Sequence, residues 1–210
     1  MKLLFAHGWA LDRTLWTRVI EPLGALAAGA VVLDQGYYGR PHHPDLARGE
    51  RWLGVGQSLG ALELLAAPPV RLAGVVAIDG FARFGEAADF PTGVRPRVLE
   101  RMRARVADGA LVEFLERAGG VVPDGTPDIA RLTVGLDRLQ TLEGRTSPLP
   151  VWRLQAADDP IALLAMADAS FAGMDVRARQ LREAGDHLSP IHAPLACATL
   201  IRAAVKALAP

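Results

Sequence analysis

Gly56-Gln57-Ser58-Leu59-Gly60 is a G-x-S-x-G pentapeptide. It follows an apolar run, Trp52-Leu53-Gly54-Val55, that reads as a buried strand. It precedes Ala61-Leu62-Glu63-Leu64-Leu65-Ala66, which reads as a short helix. Strand, tight turn and helix in that order are the setting of a nucleophile elbow. The turn is sharp, so a Cβ at Gly56 or Gly60 is expected to crowd the neighbouring backbone. A serine at its apex is strained, lifted clear of the sheet, and faced by the free N–H groups of the helix start.

Working outward, apolar runs recur at Lys2–Ala6, Ala30–Leu33, Arg51–Val55, Gly74–Ile78, Val151–Gln155 and Val176–Arg179. Most are continuous rather than alternating, as expected of strands buried on both faces of a parallel sheet. The last is polar and suits an exposed edge. Helical patterns fall between them at Trp16–Ala28, Leu59–Ala66, Ile161–Ala172 and Leu195–Leu208. This rhythm predicts an α/β fold with a doubly wound, mostly parallel sheet. Sites in such sheets lie beyond the carboxyl ends of the strands. His7, Asp34, Ser58, Asp79 and Asp159 all fall at or just after strand ends. Between Asp34 and Arg51 the chain is rich in Gly, Pro and His, so the usual crossover helix is expected to be short or absent.

One stretch breaks the rhythm. From Phe81 to Ser147 the patterns are helical: Val98, Met102 and Val106 in Pro96–Ala107, Leu111 to Leu115 in Gly109–Ala118, and Ile129, Leu132, Leu136 and Leu139 in Pro127–Leu142. The organisation expected is a core built from residues 1–80 and 148–210, with residues 81–147 inserted between strands as a helical cap.

Composition sets the bounds. The 210 residues are 50% hydrophobic and 22% charged with a net charge of zero. That is ordinary for a soluble globular protein, and it supplies no global field toward nucleic acid or membrane. The single cysteine, Cys197, excludes an internal disulfide. The apolar run at the N-terminus is too short for a signal peptide, and no window reaches the roughly 18 apolar residues of a membrane span. The chain reads as cytoplasmic. His42 and His43 lack a metal-ligand partner pattern, and no Cys/His cluster suggests zinc, so neither metal nor cofactor is expected.

Serine hydrolysis needs a nucleophile, a base, an acid that orients the base, and donors for the oxyanion. Ser58 is the candidate nucleophile. The acid comes from Ala156-Ala157-Asp158-Asp159-Pro160, just past a strand, and is either Asp158 or Asp159. The base is His187, in Ala184-Gly185-Asp186-His187-Leu188, after the last strand. The candidate oxyanion donors are the backbone N–H groups of Leu59, next to the nucleophile, and of Trp9, in the loop after His7-Gly8. Asp34 and Asp79 read as turn caps, and His192 as a surface residue. A lone G-x-S-x-G is a weak signal. The argument rests on four features falling after four different strands, in the chain order Ser, acid, His.

With these residues in place, the chain resembles the α/β-hydrolase superfamily over nearly its whole length. Within it, the chain is most similar to the carboxylesterases that demethylate pimeloyl-carrier-protein methyl ester in biotin synthesis. His7-Gly8-Trp9-Ala10-Leu11 resembles that family's opening loop, and Gly56–Gly60 its elbow, with Gln57 in place of a more usual aromatic. Ala156 stands three before Asp159, and Pro160 follows it, as around the family's acid. The resemblance therefore implies Asp159 as the acid, with Asp158 in reserve. His187 with Pro194 matches the family's histidine and following proline. Pro91–Pro96 and Gly135–Leu142 are similar to its lid. The chain is short for the family, with losses around Asp34–Arg51.

The predicted lid is rich in arginine. Arg97, Arg101 and Arg105 are spaced four apart, so they share one helix face beside the Val98, Met102 and Val106 stripe, with Arg95 and Arg103 near them and Glu100 the local opposition. Arg131 and Arg138 are expected to extend the patch from another helix. The resemblance implies that Arg95, Arg97, Arg101, Arg105, Arg131 and Arg138 dock an acidic acyl carrier protein, whose acyl chain threads beneath the lid. The resulting expectation is a serine carboxylesterase acting on a carrier-bound methyl ester. The alternatives are a general short-chain carboxylesterase or lactonase, and a non-catalytic binding protein on the same frame.

Overall fold

The computed structural model describes residues 1–209. Six strands form one sheet: β1 (Lys2–Ala6), β2 (Val31–Leu33), β3 (Trp52–Gln57), β4 (Leu72–Ile78), β5 (Val151–Ala156) and β6 (Val176–Arg182). Their order is β2-β1-β3-β4-β5-β6, and every pairing is parallel. The chain winds first toward β2 and then reverses past β1 toward β6, so the sheet is doubly wound, as the alternating pattern predicted.

The continuous apolar runs are explained by the two faces. In β1, Leu3 and Phe5 join one buried cluster while Leu4 and Ala6 join the other. The same alternation holds in β3 and β4, where Leu53, Val55, Val76 and Ile78 face one way and Trp52, Val75 and Ala77 the other. Helix α1 (Thr17–Leu23) packs with α8 (Pro194–Ala207) on the first face, and α2 (Leu59–Ala66) covers the second. Both sheet edges are guarded. β2 has three residues, and β6 presents Arg177 and Arg179 paired with Asp175 and Asp168.

Several boundaries differ from the sequence expectation. The first helix is broken: 3-10 turns at Arg13–Trp16 and Gly24–Ala27 flank α1, and Gly24 sits at φ 55°. The helix expected over 161–172 is α6 (Leu164–Ser170), because Ile161 and Ala162 give their N–H groups to the Asp159 carboxylate instead. A short helix, α7 (Ser189–His192), was not foreseen. No helix lies between β2 and β3, as expected from that Gly- and Pro-rich stretch.

Between β4 and β5 the chain carries α3 (Pro96–Ala104), α4 (Leu111–Ala118) and α5 (Ile129–Thr141) and no strand. Helix α3 is separated from α4 by a kinked turn in which Asp108 and Gly109 leave helical geometry. This corrects the continuous face expected for Arg97, Arg101 and Arg105. The first two remain a turn apart on α3, but Arg105 lies beyond its end at φ −119°. The buried stripe also turns, with Leu99 and Val106 inside and Val98 half exposed.

Candidate active site

Ser58 sits at the apex of the turn between β3 and α2 at φ 53°, ψ −123°. A side-chain-bearing residue in that region costs about 1–3 kcal/mol. The sequence around it leaves room for nothing larger than glycine. A Cβ on Gly56 would lie 2.4 Å from the Ala61 backbone, and one on Gly60 2.2 Å from the Ala6 carbonyl oxygen. The elbow is thereby pressed against both its own helix and β1, and only 5% of Ser58 is exposed.

The structure brings Ser58, His187 and Asp159 into one hydrogen-bonded line. His187 Nε2 is 2.8 Å from Ser58 Oγ, and His187 Nδ1 is 2.8 Å from Asp159 Oδ2. Asp159 is oriented from all sides. Its Oδ1 accepts the Ile161 and Ala162 N–H groups at 2.8 and 2.9 Å, and its Oδ2 also accepts Gln155 Nε2 at 3.3 Å. The neighbouring Asp158 points elsewhere, accepting the Gly185 N–H at 2.6 Å. The loop geometry thus singles out Asp159 between the two.

His187 is held through its backbone as well as its ring. Its N–H donates to the Ala118 carbonyl at the end of α4, and its carbonyl accepts Gln57 Nε2 at 2.7 Å. Gln57, next to the nucleophile, therefore anchors the loop that carries the base. Burial alone would lower the His187 pKa. The Asp159 carboxylate, by charge and hydrogen bond, outweighs it with help from Asp79 and Asp186, so the pKa stands above its ordinary value.

The loop of one expected oxyanion donor runs against the elbow: a Cβ on Gly8 would lie 2.9 Å from Ser58 Cβ, and Trp9 lines the same cavity as Ser58. Trp9 is buried in the loop after β1, and Leu59 is the first residue of α2. Neither backbone N–H donates a hydrogen bond among the described residues. The Trp9 side chain turns away to the helical segment, donating from Nε1 to the Leu132 carbonyl at 2.8 Å and meeting Phe114 edge-on.

Ser58 opens into a cavity of about 560 Å³ between the sheet and α3 and α4. Its walls are mainly apolar, with Phe84, Leu99, Met102, Phe114, Leu139 and Ile161 among them. Its charged lining is Arg95, Arg101, Arg105, Arg117 and one acid, Glu113, which pairs with Arg105 at 2.7 Å. Arg97 is exposed on α3 outside this lining. Arg131 and Arg138 do not extend the patch, which corrects that expectation. They line a separate depression with Gln35 and Tyr37. There Arg131 pairs with Asp128, and Arg138 with Glu63 and Gln35.

The sequence reading missed two contributors. Arg117 follows the apolar pattern of α4 without standing out from it. Asp79 was read as a turn cap and is instead fully buried beside the triad. The signal available was a carboxylate ending an otherwise apolar strand. Asp34 does behave as a turn cap, accepting the Gly36 N–H at 2.8 Å, and His192 is a partly exposed partner of Asp186. Among the described residues no group of three or more His, Cys, Asp and Glu could hold a metal ion, and no helix is long and apolar enough to cross a membrane.

No family model and no curated protein matches the sequence. Solved structures do match the fold. An esterase from Exiguobacterium antarcticum is similar at a TM-score of 0.75 and 14% identity, over 98% of this chain and 92% of that one. A hydrolase from Oleispira antarctica gives 0.73 and 13%, over 98% and 90%. The enol-lactonase from Burkholderia xenovorans LB400 gives 0.71 and 15%, over 98% and 91%. With its six-stranded parallel sheet covered by helices on both faces, the chain has the α/β-hydrolase fold.

Proposed function

We propose that this protein is a serine ester hydrolase whose substrate is the methyl ester of a pimeloyl group carried on an acyl carrier protein. The observation that carries the hydrolase reading is the unbroken line from Ser58 Oγ through the His187 ring to Asp159, at 2.8 Å for each link, at the floor of an apolar cavity. A non-catalytic binding protein has no need of that line or of the strained serine.

In the proposed reaction, Ser58 Oγ attacks the ester carbonyl while His187 Nε2 takes its proton. Asp159 fixes the Nδ1–H tautomer and stabilises the imidazolium. The Trp9 and Leu59 N–H groups receive the oxyanion. The carbon–oxygen bond to the alkoxy group breaks, and methanol leaves with the proton from His187. Water then attacks the acyl-enzyme as His187 takes one of its protons; the acyl–Oγ bond breaks, His187 returns that proton to Ser58 Oγ, and the acid departs, ionising to the carboxylate. His187 must be neutral to begin, so activity rises with pH through its elevated pKa.

The carrier-protein reading is supported by the resemblance and by the arginines at the cavity. Arg95, Arg97 and Arg101 are exposed and make no ion pair among the described residues, and two of them line the cavity mouth. An acidic carrier docked there would place its prosthetic arm at an apolar cleft large enough for a pimeloyl chain. In this reading residues 81–147 form the lid. The second reading, a general carboxylesterase or lactonase, draws on fold neighbours described as esterases and an enol-lactonase.

Assays of free and carrier-bound pimeloyl methyl ester separate the two. Carrier dependence predicts that Arg97→Glu with Arg101→Glu lowers turnover of the carrier-bound ester about tenfold or more, spares the free ester, and removes salt sensitivity. Equal turnover of both substrates in all variants selects the general esterase.

A further inference from the structure

Asp79 is the buried titratable group that the proposed mechanism leaves unused. It directly follows β4, beside the serine: Gln57 pairs with Ile78, the Ser58 N–H donates to the Ile78 carbonyl at 3.2 Å, and the Asp79 N–H donates to the Leu154 carbonyl at 2.8 Å. Its backbone is at φ 45°, the left-handed region that a non-glycine residue enters at a cost. It is 0% exposed. Strain and burial of a carboxylate are both unfavourable, and their coincidence one residue past a strand end, level with the nucleophile, points to a role at the site.

Both carboxylate oxygens are committed to one residue. The Ser189 N–H donates to Asp79 Oδ2 at 2.8 Å, and the Ser189 hydroxyl donates to Oδ1 at 2.9 Å. Ser189 Oγ in turn accepts Arg182 Nη1 at 2.9 Å. Ser189 is two residues past His187, so this chain of contacts holds the base's loop at a second point besides the Gln57 contact.

Charge is the second consideration. Burial raises the Asp79 pKa to about 7, the His187 charge opposes that rise, and the Asp159 charge adds to it. The ionisable groups that face this pocket are His187 and Asp186 on their loop, Asp159 after β5, Arg182 on β6 and Cys197 on α8, whose thiol is pushed up by burial and by Asp79. Above about pH 7, where Asp79 is ionised, the two carboxylates repel each other while His187 is neutral. When it becomes an imidazolium, both attract it. The interaction is stronger in the transition state than before it, which is the condition for a contribution to rate.

We propose, resting on the ester-hydrolase reading above, that Asp79 is a positioning residue for that reaction. Through Ser189 it fixes the loop that bears His187, and its buried charge favours the imidazolium formed as Ser58 loses its proton.

The test is the rate of Ser58 phosphonylation by a fluorophosphonate between pH 5 and 9, with folding checked by thermal denaturation. Ser58 Oγ bonds to phosphorus, fluoride leaves, and the proton passes to His187, so no knowledge of the natural substrate is needed. Asp79→Asn is expected to slow labelling on the alkaline plateau about tenfold, the equivalent of one pKa unit, and to move the acid limb to lower pH. Asp79→Ser is the second variant should the amide not fold. Ser189→Ala, which strips one donor from Asp79, moves the limb in the same direction by less. A slower rate with an unmoved acid limb in whichever variants fold makes the contact merely structural and overturns the proposal. An unchanged rate does so equally. Failure of the wild-type protein to label overturns the hydrolase reading itself.

Discussion

Trp9 Nε1 donates to the Leu132 carbonyl at 2.8 Å, joining the loop of a proposed oxyanion donor to helix α5. The residue whose backbone N–H we propose as an oxyanion donor thus gives its indole N–H to α5. Trp9→Phe keeps a ring beside Phe114 but removes the indole's bond to the Leu132 carbonyl, which retains its place in the helix. The expected result is a loss of about 1 kcal/mol in stability and a fall in kcat of several fold. Chemical denaturation and ester kinetics on the same variant measure both. A stability loss with unchanged kcat would show that the two ends of Trp9 act independently.

Glu63 on α2 and Arg138 on α5 make a further tie between elements distant in the chain. The Glu63 side chain is 15% exposed, and burial raises its pKa despite the guanidinium 2.8 Å away. Arg138→Met strands that carboxylate. The expectation is destabilisation of about 1–3 kcal/mol, below the range for fully buried pairs because Arg138 is itself 43% exposed. Adding Glu63→Gln is expected to recover much of it in a double-variant cycle. Because this guanidinium is committed to Glu63, its loss is expected to affect free and carrier-bound esters alike.

Asp158 and Asp159 are neighbours with different partners, and substitution separates them. Asp159→Asn loses the carboxylate that orients the His187 tautomer, so kcat is expected to fall about 10⁴-fold. Asp158→Asn retains an acceptor for the Gly185 N–H and is expected to stay within about threefold of wild type. Comparable losses in both would mean that the loop, not the carboxylate, is what the reaction requires.

Asp34 supplies a pH prediction for stability. Burial raises its pKa, but the His7 contact and the Gly36 and Arg13 N–H groups outweigh this and bring it to about 2. A carboxylate depressed on folding contributes stability that is full above its unfolded pKa near 4 and is lost as pH falls toward 2. The contribution is about 2 kcal/mol from the size of the shift. The Tm of Asp34→Asn is therefore expected to lie below wild type at pH 6, with the gap closing by pH 2.5. A gap that is constant with pH would contradict the assignment.

The site was legible in the sequence where chemistry and local geometry coincide. Ser58 sits in a turn that only its flanking glycines permit, and Asp159 and His187 each follow a strand that the apolar runs disclose. All six strands were foreseen, the inner ones because burial on both sheet faces leaves an uninterrupted apolar signature, and β6 by its polar, edge-like pattern. What the sequence withheld depends on distant partners. Nothing near Asp79 announces Ser189, 110 residues on. The four-residue spacing of Arg97, Arg101 and Arg105 implied a straight helix, and the kink at Asp108 and Gly109 ended it. Arg131 and Arg138 have the spacing of a shared face, yet acidic neighbours from α5's own start and from α2 hold them in another depression. Asp159 stood out from Asp158 only by resemblance until the loop was folded.

The most direct measurement is covalent labelling of the intact protein with a fluorophosphonate, read by peptide mass spectrometry, together with ester turnover by Ser58→Ala. The account predicts a single stoichiometric adduct on Ser58 and a loss of kcat on the order of 10⁶ in the variant. An unlabelled Ser58, or a variant that keeps more than a tenth of wild-type turnover, would contradict it.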